Sequence, residues 1–243
     1  MCTVTYHPTN TGFYICSSRD EQIARKKATP PMLMNHIGTS LLCPIDQKAG
    51  GSWIAINQFG WVGVLLNGAK KKHLPLGPYQ KSRGLIVLDI LALENPVHGF
   101  QAIDLDNIEP FTLVLAKQQM LYACFWDGAN KLIEYPDASV KHIWSSATLY
   151  DGVAKQKREN WFLDWSSKHS LVDNTAILDF HLQSGKEDPS IAIKMKRDEI
   201  LETVSVSCIQ WENEKAAFDY YDLIENKLLA THILFATQEL SIT

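Results

Sequence analysis

Several features that would settle the class of this protein at once are missing. Among 243 residues there is no C-x-x-C spacing, and the five cysteines (Cys2, Cys16, Cys43, Cys124, Cys208) are odd in number, so neither a disulfide framework nor a zinc site is indicated. No apolar run reaches the ~18 residues that a membrane-spanning helix needs. The opening Met1 to Pro8 has neither a charged n-region nor an apolar h-region. The expectation is a soluble, unsecreted protein of a reducing cytoplasm. Basic excess is also missing: a net charge of -4 argues against a general nucleic-acid binder, although it leaves room for a local basic patch. No repeat or low-complexity tract is visible, and no C-x-x-C-H offers covalent haem attachment.

What is present is an ordinary globular composition, 46% hydrophobic and 21% charged, large enough for one generous core; a single domain over 1–243 is expected. Cys2 to Tyr6 alternates, Phe13 to Ser18 is strand-like, and His7 to Gly12 between them is turn chemistry, predicting an antiparallel hairpin. Ser52 to Asn57 and Trp61 to Leu66 predict a second hairpin around Gln58-Phe59-Gly60, with Gly50-Gly51 ahead and Asn67-Gly68 behind. Ser82 is placed to cap a buried helix over Gly84 to Leu93. Strands follow at Phe111 to Ala116, Met120 to Trp126 and Lys131 to Tyr135, then helices at Asp151 to Lys168 and Thr175 to Leu182. A meander of Val204 to Gln210, Ala216 to Asp222 and Leu228 to Leu234 closes the chain. Strands at both ends with helices between favour a layered α+β fold over a parallel doubly wound sheet.

Cys2 is the residue with the most chemical promise. Removal of Met1 ahead of so small a residue is expected, and it leaves a thiol and a free α-amine on one residue, so that the amine can serve as base for its own nucleophile. If Tyr6 pairs near Phe13, Cys2 falls opposite Ser17 or Ser18 on a strand about 4.8 Å away, with Arg19 just past the strand end. A fixed cation there lowers a thiol pKa. The same counting on the second hairpin places Asn67 beside Gly50-Gly51, where glycine admits a ligand close to the backbone and an amide donates to a developing oxyanion. Each feature alone is commonplace: an arginine at a strand end is usually solvated, and Asn-Gly after a strand is usually only a turn.

Together, Met1-Cys2, Ser18-Arg19-Asp20-Glu21, Gly50-Gly51-Ser52-Trp53-Ile54-Ala55 and the strand ending in Leu66-Asn67 resemble the NRDE family, also called the transport and Golgi organisation protein 2 family. Ser82-Arg83-Gly84 and Gly99-Phe100 are similar to further landmarks of it, and the resemblance runs in order over roughly residues 1–165. It implies a likeness to the N-terminal nucleophile hydrolases and hence a four-layer αββα sandwich of two stacked antiparallel sheets. By the same resemblance Cys2 would be the nucleophile, its α-amine the base, Arg19 the partner of thiolate and substrate, and Asn67 the oxyanion donor. The chain departs from the pattern in having Ser18 for the family Asn. The acid that follows the Arg by three positions in choloylglycine-type hydrolases is replaced by Gln22, with Asp20 as the nearest substitute. Ser145-Ser146 stands where such enzymes carry Ser-Asn, so Ser146 becomes the substrate-side candidate, and no arginine near Thr203 supplies a late guanidinium.

Remaining features read more plainly. Lys70-Lys71-Lys72-His73 could meet an anionic substrate or an acidic lipid headgroup, but a basic loop is usually a solvated surface. His181 is expected to be a satisfied core histidine. His36, after Met32 and Met34, is a weak haem-ligand candidate, haem handling having been proposed in the family the chain resembles. Two functions follow from these readings. One is cysteine-dependent hydrolysis of a non-peptide C–N amide bond with no cofactor; the other is non-catalytic carriage of haem or another hydrophobic small molecule, for which Trp53 and Trp61 would line the cleft.

Overall fold

Alternation in the first strand decides how the layers are stacked. The computed structural model describes residues 3–169, 172–236 and 239–242. In it β1 (Thr3–Pro8) sends Val4 and Tyr6 into the central core, while Thr5 and His7 on the other face meet His181, Phe162 and Trp165. One strand thus builds two interfaces, as a period of two requires.

β1 lies between β10 (His142–Ser145) and β2 (Gly12–Gln22), and the sheet continues through β12 (Leu201–Glu212), β13 (Lys215–Asp222), β14 (Lys227–Ala236) and β15 (Glu239–Ile242). The short β11 (Lys196–Arg197) pairs with β12. The second sheet runs in chain order through β3 (Met32–His36), β4 (Thr39–Cys43), β5 (Ile54–Asn57), β6 (Val62–Asn67), β7 (Phe111–Lys117), β8 (Met120–Trp126) and β9 (Lys131–Glu134). Both sheets are antiparallel throughout the described residues. Their inner faces share one core, in which Phe13, Ile15, Ile209 and Trp211 of the first meet Ile54, Val64 and Val114 of the second.

Helices close the outer faces. α1 (Arg83–Leu91) and α2 (Pro96–Ala102) lie on the second sheet, burying Ile86, Val87, Leu88, Ile90, Leu91 and Phe100; each large aliphatic side chain so buried contributes about 1.5–3 kcal/mol. α3 (Gly152–Lys168) and α4 (Asn174–Gln183) cover the first sheet through Phe162, Trp165, Ile177 and Phe180. The result is the four-layer αββα arrangement of two antiparallel sheets.

Several sequence expectations change here. β2 does not stop before Arg19: pairing with β12 carries it to Gln22, and Tyr6 faces Ile15 rather than Phe13, because the turn spans only Thr9 to Thr11. Gly51 also admits a helix, since a Cβ there would lie 2.3 Å from the Gly84 carbonyl carbon at the start of α1. Cys16 and Cys208 share one rung of β2 and β12, with Cα atoms 4.1 Å apart, and are joined as a disulfide on the helix-facing side. Cysteine spacing gave no hint of that pairing across a sequence separation of 192.

Candidate active site

Arg19 is a buried cation on the inner face of β2, with only 3% of its surface exposed. Its guanidinium carbon lies 4.5 Å above the centre of the Trp53 ring, and Nη2 donates to Asp46 Oδ2 at 2.5 Å. Trp53 is itself only 1% exposed, so the indole forms a buried floor on which Arg19 stacks. Cation–π stacking of this kind is worth ~2 kcal/mol when desolvated.

Asp46, in the β4–β5 connection, ties the region together. It accepts from Arg25 Nε at 2.7 Å and Nη2 at 3.0 Å, and its Oδ1 accepts the backbone N–H groups of Lys48 and Ala49. Burial alone would raise its carboxyl pKa. The hydrogen bonds from Arg25 and the Ala49 N–H, with the charges of Arg25 and Arg19, outweigh that and hold it below the usual carboxylate range. Glu21 adds a more distant contact to both arginines, at 3.6 Å and 3.3 Å.

Asn67 ends β6 opposite Phe111 and shares with Arg19, Trp53, Ser52, Leu65 and Arg83 a cleft of about 250 Å³. Arg19 and Asn67, drawn from separate hairpins, therefore converge as the sequence predicts. Ser146 does not line this cleft: it is fully buried and donates to the Asn67 carbonyl at 2.8 Å, so it steadies the end of β6 from behind. Arg83, at the start of α1, pairs with Glu109 at 3.0 Å on the cleft wall.

Asp20 takes the opposite face of β2. It accepts from the Tyr150 hydroxyl at 2.7 Å and from Thr203 Oγ1, under the helices and away from Arg19, as adjacent residues of a strand must be. The same layer holds Arg158 of α3, fully buried, donating to the Ile191 and Ala192 carbonyls and to Thr3 Oγ1 at 2.7 Å while stacked 3.6 Å from the Tyr150 ring centre. His181 bonds to Thr5 Oγ1 at 2.9 Å and Ser18 Oγ at 2.8 Å; burial, then the charge of Arg158, lowers its pKa to about 3. It is the satisfied core histidine that its position on the apolar side of the helix predicts.

Cys2, and with it Met1, lies outside the described residues; the ladder of β1 and β2 is described from Thr3 opposite Ser18. Trp61 is placed elsewhere. It sits at the other end of β6, six residues or about 20 Å from Asn67, in a groove with Tyr122, Tyr135 and Lys117. His36 is bound to Asp89 Oδ1 at 2.9 Å through Nε2. Asp46 and Arg25 were not foreseen, because a lone Asp in a loop and an Arg beyond a strand carry no local signal.

One further property distinguishes the cleft end. Ser17 lies two residues before Arg19 on the same face, and Ser207 and Ser205 are their rung partners on β12. The hydroxyls of Ser17 and Ser207, and Trp53 Nε1, are buried with no hydrogen-bond partner among the described residues, while the Ser205 hydroxyl interacts with Tyr220. Buried polar atoms are normally paired, so these groups beside a buried cation set this end of the core apart from its apolar remainder.

The fold is N-terminal-nucleophile-hydrolase-like, and solved structures with that fold superpose on it. A mutant conjugated bile acid hydrolase from Clostridium perfringens matches with TM-score 0.61 at 10% identity, covering 100% of this chain and 96% of that one. The N-acylethanolamine-hydrolyzing acid amidase ortholog of Caenorhabditis elegans matches with 0.61 at 11%, covering 86% and 92%. Penicillin V acylase from Agrobacterium tumefaciens matches with 0.57 at 8%, covering 95% and 85%. The model of the Transport and Golgi organisation 2 family matches residues 1–221, and the chain belongs to that family. No curated protein matches the sequence significantly. Among the described residues, no helix is long and apolar enough to cross a membrane.

Proposed function

We propose that the chain is a cysteine N-terminal-nucleophile hydrolase that cleaves a non-peptide C–N amide bond. The observation that carries this reading is the placement of Arg19 on Trp53 in the cleft with Asn67, one residue beyond the rung of Ser18 and Thr3. The reading requires that Cys2, which lies outside the described residues, meet Arg19 through its thiol; the described register ends one residue short of that pairing, at Thr3 opposite Ser18. A desolvated guanidinium beside the sulfur favours thiolate. After loss of Met1 the α-amine takes the thiol proton and Sγ attacks the amide carbonyl carbon. The oxyanion is received by the Asn67 side-chain N–H, and the C–N bond breaks as the amine leaving group takes the proton. Water then attacks the thioester, activated by the same α-amine, and releases the acid.

The neighbours support the reaction class by their names, each an enzyme of amide hydrolysis, and one of them was solved with its second-position cysteine changed to alanine. The test is turnover by Met1-processed protein of a conjugated bile acid, penicillin V and an N-acylethanolamine. Intact mass verifies the processing, and Cys2→Ser should abolish release of amine from whichever is cleaved. Turnover that survives Cys2→Ser would remove the nucleophile assignment. Absence of turnover for all three, together with tight haem binding untouched by Cys2→Ala, would favour the carrier.

A further inference from the structure

The segment between β6 and α1, residues 70–81, is proline-bearing and almost wholly exposed. At its tip Leu74 is 80% and Leu76 85% exposed, the two most exposed large apolar side chains among the described residues. Pro75, Gly77 and Pro78 around them are exposed as well. Single surface leucines need no explanation, but two at alternate positions of one projecting tip form a contiguous apolar point. The foot of the loop is held: Lys70 pairs with Glu134, His73 with Glu109 at 3.3 Å, the Leu76 N–H donates to the Tyr79 hydroxyl at 2.9 Å, and the Gln80 N–H donates to the Asn107 carbonyl at 3.0 Å. The tip is therefore presented on a fixed base.

Charge indicates what covers it. Lys71 and Lys72 precede the leucines, are exposed, and have no ion pair among the described residues, in a chain whose net charge is -4. An apolar tip beside unpaired lysines matches an anionic bilayer, whose acyl boundary takes the leucines while its headgroups meet the ammonium groups. We infer that loop 70–81 docks this protein on anionic lipid membranes. Asn67 and Ser82, at its two ends in sequence, line the Arg19 cleft, so docking brings that cleft beside the bilayer; the docking itself does not depend on the chemistry proposed for Cys2.

Co-sedimentation of the full chain with phosphatidylcholine vesicles, with and without phosphatidylserine, tests this. Binding should require phosphatidylserine and weaken with added salt as the charges are screened. The double variant Leu74→Ser, Leu76→Ser should lower the partition coefficient by about tenfold or more, and Lys71→Glu with Lys72→Glu by a similar factor. Thermal melting should be unchanged in both, since these side chains pack against nothing. Alkylation of Cys2 should be unchanged as well, which keeps failure of docking separate from failure of the hydrolase reading. Vesicle binding that ignores the leucine variant, binding equal on neutral vesicles, or leucine-dependent association with a protein and none with vesicles would each overturn the inference.

Discussion

Along the inner face of β2 and β12, the end that begins each hairpin is built from rings and branched aliphatics, and the other end from hydroxyls and a guanidinium. At the first, Phe13 stacks on Trp211 with centroids 5.9 Å apart and planes 4° from parallel, Tyr6 stacks on Phe13 at 5.4 Å, and Ile15 faces Ile209. Two residues further on, Ser17 faces Ser207, and the next inward rung pairs Arg19 with Ser205. Both ends are buried and belong to the same strands. The first maximises apolar contact, whereas the second keeps unpaired hydroxyls in place at a cost of about 1–3 kcal/mol each. Apolar cohesion is concentrated at one end of the sandwich and buried polar groups at the other.

The sharpest way to break that contrast is to exchange the expected consequences. Phe13→Ala should destabilise the fold by about 3–5 kcal/mol in urea titration, through lost burial and the cavity left behind, while the native-state labelling rate of Cys2 stays the same. A changed labelling rate would mean that the two ends are coupled. Asp46→Asn, at the polar end, weakens charge-assisted hydrogen bonds and should cost about 1.5–3 kcal/mol, but here the labelling of Cys2 should change as well, because Arg19 loses its anchor.

A subtler asymmetry lies across β2 rather than along it. His181 is held neutral on the helix side, its pKa lowered to about 3 by burial and then by Arg158. The unfolded chain binds that proton near pH 6.5 and the folded chain does not. This contribution to stability is therefore complete above about pH 6.5 and declines by up to about 1.4 kcal/mol per pH unit as pH falls toward 3. Denaturant titrations between pH 7 and pH 4 should show the slope, and His181→Gln should reduce it, the buried His7, whose pKa burial also lowers, contributing the same sign; an unchanged slope would assign acid sensitivity to other groups. The smallest effect is expected of Ser207→Ala. Removing an unpartnered hydroxyl should leave stability within about 0.5 kcal/mol or raise it, and a loss beyond 1 kcal/mol would show that the hydroxyl is paired.

Features set by local chemistry were legible in the sequence. Ser82 caps α1 because a short polar side chain before an apolar run has one good use, the helix read from Asp151 to Lys168 is α3 with Asp151 as its cap, and β8 over Met120–Trp126 stands out as an apolar run closed by Asp127-Gly128. The β3–β4 hairpin escaped notice because Asn35 and His36 interrupt its apolar pattern, and α2 because its seven residues are too few to show a period. The site divided in the same manner. Arg19 and Asn67 could be placed together from hairpin counting, even with the register two residues off at Tyr6. Asp46 could not, since its partners lie 21 and 27 residues away on another sheet. Trp61 was assigned to the cleft by residue type alone, and strand length carries it to the far end of β6.

The central claim is that the polar end exists to activate the thiol of Cys2, and the pH dependence of iodoacetamide labelling at each cysteine tests it most directly. Cys43 and Cys124 are buried, with thiol pKa values raised by burial to about 12, and Cys16 and Cys208 are bonded to each other, so Cys2 should give the dominant signal. In Met1-processed protein its labelling should reach half its maximal rate well below pH ~8.5, the ordinary thiol value, and Arg19→Gln should move that midpoint up toward it. A Cys2 midpoint at the ordinary value, indifferent to Arg19→Gln, would contradict the account.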